Sequence, residues 1–197
     1  MVSSSQLSPD QALTILSATP GRLAEITAGA AAADLRAAPA PGQWSAVEVL
    51  AHLRACADVW GGYVDLMTTT DRPTFKAVNP TTWIEQTDYR DLDFRSSWQA
   101  FAEQRLRLLA VLDPLPAEGW WRIALVTGAG PATERTVLSY LDRMARHERT
   151  HVRQVERLFA APTDQPARLI GANRPPHRRT RSAGASSMSM PRRPPDT

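Results

Sequence analysis

The sequence has one cysteine, Cys56, and one lysine, Lys76, in 197 residues. A single cysteine excludes an intramolecular disulfide framework and the cysteine-rich zinc modules. No apolar run reaches the roughly 18–20 residues that a membrane-spanning helix needs, because charges interrupt every stretch. The opening MVSSSQLSPDQAL lacks the basic start and apolar stretch of a secretory signal. These absences set the expectation of a cytoplasmic protein in a reducing compartment, without membrane contact. What is present suits an ordinary globular domain. With 43% hydrophobic residues, the chain can bury a core without a disulfide or a structural metal.

Charge is unevenly distributed. Of 23 basic residues, 22 are arginine, and residues 162–197 hold seven of them against two acids, Asp164 and Asp196. That segment is +5 and the remaining body is −2, so the basic character belongs to the tail. Seven of the 16 prolines also lie there. The expected organisation is a folded domain over 1–161 and a disordered, Pro/Arg-rich basic tail over 162–197. A solvated tail without a specific nucleic-acid partner is the expectation.

Four segments of the body carry a helical period. The first lies in 9–29, after Ser8-Pro9, a cap followed by proline at the first helical position. Thr19-Pro20-Gly21 marks either a kink or a second helix start. The Ala-, Pro- and Gly-rich stretch 30–43 reads as a loop with room for one helical turn. The second helix spans 46–67 behind a capping box of Ser45 and Glu48, with Trp44 and Val49 placed as a hydrophobic staple. Its apolar face carries Val49, Leu50, Leu53, Ala57, Trp60, Val64 and Met67.

The third helix covers about 94–113, with Phe94, Trp98, Phe101, Leu106, Leu108, Leu109 and Leu112 as core candidates. The fourth covers about 134–160, from Val137 to Phe159. Ile123–Val126 is the only strand candidate. This is the pattern of an all-α four-helix bundle. The long link over 69–92 can span the length of a helix, which permits the second and third helices to run parallel.

Four histidines are present, and His177 falls in the tail. His147 and His151 are spaced i, i+4, so both project from one face of the fourth helix. That spacing makes a bidentate platform for a divalent metal. Met144, Val155 and Leu158 turn this face toward the core, where an unpaired imidazole is costly. His52 lies about seven residues into the second helix, and His151 about nine before the end of the fourth. Antiparallel packing of those helices puts all three at one height. Three neutral imidazoles suit Zn²⁺, Ni²⁺ or Fe²⁺ and leave positions open for water or substrate. A solvated pair plus a hydrogen-bonded core histidine is the competing reading.

The stretch Trp44-Ser45-Ala46-Val47-Glu48-Val49-Leu50-Ala51-His52-Leu53 resembles the W-S-x-x-E-x-x-x-H-L signature of the DinB-like (YfiT-like) superfamily. His147-xxx-His151 is similar to that family's second motif. Trp83, Tyr89, Phe101, Arg105, Leu108 and Trp120 agree with its actinobacterial-type branch. The resemblance covers about residues 7–160. It implies up-down-down-up helix order, His52, His147 and His151 as metal ligands, and frequent homodimers. It also implies chemistry like that of family members which transfer low-molecular-weight thiols such as bacillithiol or mycothiol.

His147-Glu148-Arg149-Thr150-His151 also spells the H-E-x-x-H of zinc proteases. A metzincin needs glycine at 154 and histidine at 157, where this chain has Gln154 and Arg157. No glutamate follows on a further helix, and no edge strand is expected to align a peptide. Around His52, Glu48 is either a cap or a group that orients the site, and Cys56 either a core thiol or a fourth ligand. Trp60 and Tyr63 are core or pocket wall. Arg105 pairs either with a substrate carboxylate or with a structural acid.

Two classes of function follow. The first is a metal-dependent enzyme, expected to be a thiol S-transferase acting on a small electrophile, with hydrolysis as the variant. The second is a non-catalytic, metal-stabilised dimeric bundle working in stress response.

Overall fold

The computed structural model describes residues 6–160. The basic segment 162–197, with His177, lies outside the described residues. Four long helices dominate: α1 (Pro9–Thr27), α3 (Ala46–Thr69), α5 (Phe94–Leu112) and α6 (Val137–Phe159). Two short helices, α2 (Ala32–Arg36) and α4 (Pro80–Trp83), sit in the connections.

Side-chain caps begin the long helices. Ser8, Ser45 and Thr136 each close a capping box, and the Asp93 carboxylate accepts from the N–H groups of Arg95 and Ser96 at 3.0 Å. Thr19-Pro20-Gly21 does not end a helix; α1 runs through Pro20. The Pro20 carbonyl accepts from Trp98 Nε1–H at 2.8 Å, which fastens this point of α1 to α5.

Pairs across the helices fix their directions. Arg54 donates to Ser97 Oγ and Gln104 to Asp58 Oδ1, so α3 and α5 run parallel. His52 meets His151, Trp60 meets His147 and Tyr63 meets Tyr140, so α6 runs antiparallel to α3. Leu7 N–H donates to Asp142 Oδ1, and Arg22 to Glu156 Oε1, so α1 runs parallel to α6. The order is therefore up-down-down-up, with the crossover between α3 and α5 carrying the chain back.

The core candidates on α5 need one correction. Leu106 is 67% exposed, whereas Arg105 beside it is 2% exposed. The buried stripe runs Phe94, Ser97, Phe101, Arg105, Leu108, Leu112, a strict i+3/i+4 row. Leu106 lies about 100° around the helix from that row despite its hydrophobicity.

The strand content needs another. Three short strands form a sheet in the order β1 (Thr74–Lys76), β2 (Ile123–Thr127), β3 (Thr133–Thr136). β1 pairs parallel with β2, and β2 antiparallel with β3. Residues 134–136, expected at the start of the last helix, belong to β3, and α6 begins only after the Thr136 cap. The hairpin turns through Gly128 and Gly130 at φ +82° and +95°, a region that favours glycine. The sheet packs over α3 and α6 where Phe75 stacks on Tyr63, ring centres 4.1 Å apart. No helix among the described residues is long and apolar enough to cross a membrane.

Candidate metal centre

Antiparallel α3 and α6 bring His52, His147 and His151 together. His52 Nε2 lies 3.1 Å from His147 Nε2, and His151 Nε2 lies 3.1 Å from the same atom. One nitrogen from each ring falls within 4.8 Å of the others. The i, i+4 spacing supplies two of these rings from α6, and the position of His52 two turns into α3 supplies the third.

The surroundings hold the rings neutral. Burial first, then the neighbouring His151 and His52 and Arg143, lower the His147 pKa to about 3. Burial first, then His151 and Arg90, lower His52 to about 4. Burial also lowers His151, against a hydrogen bond with Gln154 that works the other way. His151 Nδ1 lies 2.9 Å from Gln154 Oε1. That carbonyl accepts from Nδ1–H, which leaves the Nε2 lone pair bare and directed at the other two rings.

Aromatic rings wall the cluster. Trp44 lies against His52 and, near-parallel, against His151, with ring centres 5.0 and 6.0 Å away. Trp60 stands edge-on to His147 at 5.0 Å, and the Arg143 guanidinium covers the Trp60 ring at 4.7 Å. Trp44 is thus more than a staple residue. The sequence reading gave no site role to Gln154 or Arg143. Both were legible on α6, Gln154 at i+3 from His151 and Arg143 at i−4 from His147.

Each acidic neighbour is engaged elsewhere. Glu48 Oε2 accepts from the Ser45 N–H and hydroxyl, both at 2.8 Å, so it serves the cap of α3. Glu148 is 3% exposed and pairs with Arg105 on α5. This tie removes the glutamate that the H-E-x-x-H reading needs as a base. The sheet does supply edge strands, contrary to expectation, but the protease reading fails on Glu148. Arg105, 2% exposed, is the structural partner of that acid. Cys56 is buried, its Sγ 3.6 Å from His52 Nε2, and burial lifts its thiol pKa to about 12. It stands beside the cluster as a protonated core thiol.

The donor set fits a divalent ion. A tetrahedral ion with metal–nitrogen bonds of about 2.0–2.1 Å sets its ligand nitrogens about 3.3 Å apart. The imidazole separations here approach that value, and three converging lone pairs repel without a cation among them. Cavities flank the cluster on both sides. One of about 470 Å³ includes Trp60 and Arg143 in its wall, and one of about 550 Å³ includes Trp44, Gln154 and Arg157.

Comparison with known proteins agrees with this architecture. No curated protein matches the chain by sequence. The solved structure of YfiT from Bacillus subtilis matches with a TM-score of 0.66 at 19% identity, over 80% of this chain and 90% of that one. That protein is described as "a probable metal-dependent hydrolase with an unusual four-helix bundle topology", and the likeness establishes a shared fold. The sequence profile of the DinB superfamily matches residues 15–155. This match covers most of the bundle and all three clustered histidines, and the chain belongs to the DinB superfamily.

Proposed function

We propose that the chain is a metal-dependent enzyme acting on a small molecule, with His52, His147 and His151 as the ligands of one divalent ion. The observation that carries this reading is the convergence of three partly buried, neutral imidazole nitrogens. When bound, such an ion supplies Lewis acidity and draws the pKa of a thiol or water ligand toward neutrality. Zinc is the first choice for three imidazoles, with nickel and iron next.

The residues around the centre favour a low-molecular-weight thiol as nucleophile. Water attack gains from a nearby carboxylate that takes its proton. Glu48 and Glu148 are committed to a cap and an ion pair. A thiol, already acidic beside a cation, needs no such base. Gln154 orients His151, and Trp44 and Trp60 exclude bulk water from the rings. The description of YfiT supports hydrolysis as the second reading.

A homodimer belongs to the same proposal, and sedimentation velocity tests it. Turnover tests the reaction. Purified protein is screened with thiols and an electrophilic acceptor, before and after chelation. Thioether formation that chelator abolishes and zinc restores supports the transferase. Ester or amide cleavage with the same metal dependence, and no thioether, moves the assignment to the hydrolase. Turnover indifferent to chelator contradicts both.

A further inference from the structure

The cavity of about 470 Å³ beside Trp60 is bounded by α3, by the first turns of α6 and by the β2–β3 hairpin. Its size is that of a small-molecule site. Trp60, Tyr63 and Tyr140 give it flat aromatic walls, and Arg135 and Arg143 give it two cations. None of the residues lining it is acidic, and neither arginine has a carboxylate within 4.0 Å among the described residues.

Both guanidinium groups act on the same spot. Burial, followed by Tyr63, lifts the Tyr140 phenol to about 12, and Arg143 and Arg135 each pull it back down. The phenol oxygen of Tyr140 has no hydrogen-bond partner among the described residues, whereas Tyr63 donates to the Lys76 carbonyl and accepts from Val78 N–H. Two unpaired cations and a free hydroxyl around an aromatic-walled space are complementary to an organic anion with a flat apolar body.

The cavity also borders the histidine cluster. Trp60 lines it and stands edge-on to His147 at 5.0 Å, and Arg143 sits one helical turn before His147 on α6.

We propose that this cavity is the subsite for an aromatic carboxylate, with Arg143 and Arg135 binding the carboxylate and Trp60, Tyr63 and Tyr140 stacking on the ring. The subsite rests on the metal-dependent reading above and defines the acidic substrate class of that enzyme. Arg143 is the principal anchor, because it lies both on Trp60 and beside Tyr140.

Benzoate and its neutral isostere benzamide are the probes, titrated by calorimetry into the full-length protein with its metal content measured in the same sample. Benzoate is expected to bind at least tenfold more tightly than benzamide. R143Q is expected to remove that preference, R135Q to reduce it, and Y140F to weaken benzoate several-fold. All three positions sit at the cavity surface, and unchanged thermal unfolding checks each variant. R157Q, on the opposite cavity, is expected to bind benzoate like wild type. Equal binding of the two probes, or a benzoate preference that survives R143Q or is lost in R157Q, overturns the subsite. Metal without benzoate binding removes the subsite and leaves the metal reading standing. Selective benzoate binding without metal does the reverse.

Discussion

Gln154 holds His151 from one turn further along α6: its Oε1 lies 2.9 Å from His151 Nδ1 and accepts the hydrogen bond from Nδ1–H. The free Nε2 is thereby aimed at His147 and His52. Second partners of this kind set ligand orientation and basicity. Gln154→Leu is expected to weaken zinc affinity by about 10–100-fold, read by competition against a chelator of known affinity, with helix content unchanged. Wild-type affinity in that variant contradicts the orienting role.

The buried pair of Arg105 and Glu148 ties α5 to α6 behind the histidines. Glu148→Leu leaves the guanidinium buried and unpaired, which costs about 3–5 kcal/mol. Denaturant unfolding should show that loss while metal stoichiometry stays at the wild-type level. A protease-like role for Glu148 predicts the opposite pattern, intact stability and lost turnover.

Glu48 closes the capping box with Ser45 rather than reaching the imidazoles. Glu48→Ala is expected to cost about 0.5–2 kcal/mol of stability. Zinc should remain bound at equal stoichiometry, as measured on the folded variant. Loss of metal without loss of stability would place this carboxylate at the centre instead.

The depressed histidines make the metal-free protein acid-sensitive. His147 and His52 titrate at about 3 and 4 in the folded chain, against about 6.5 in the unfolded one. Between those values the unfolded chain binds more protons, so stability falls as pH falls. Their contribution is complete above about pH 6.5 and disappears as pH drops toward 4 and 3. Denaturation midpoints of metal-free protein at pH 7.5, 6 and 4.5 should decline in that order, and His147→Leu should flatten part of the slope. Parallel profiles for the two proteins contradict the assignment.

Much of this was legible in the chain. Capping residues Ser8 and Ser45 announced the first two long helices, apolar periodicity the other two, and the i, i+4 histidines with a third at matching height announced the cluster. The sheet was not, because β1 and β3 are three and four residues long, with mostly exposed side chains. Strands so short carry too few alternations to show a period of two. Leu106 is misplaced in the core because its hydrophobicity favours it there, and the sequence leaves Arg105 between two partners because Glu148 comes from a helix remote in sequence. The site roles of Gln154 and Trp44 depend on where the rings of α3 and α6 meet, which tertiary packing decides.

The central claim is that three imidazoles hold one ion. Elemental analysis of purified protein beside His147→Ala tests it most directly. The expected result is about one zinc, nickel or iron per chain in the wild type, lost in a variant that remains folded. Wild-type protein that stays metal-free after reconstitution, or a variant that keeps its metal, would contradict it.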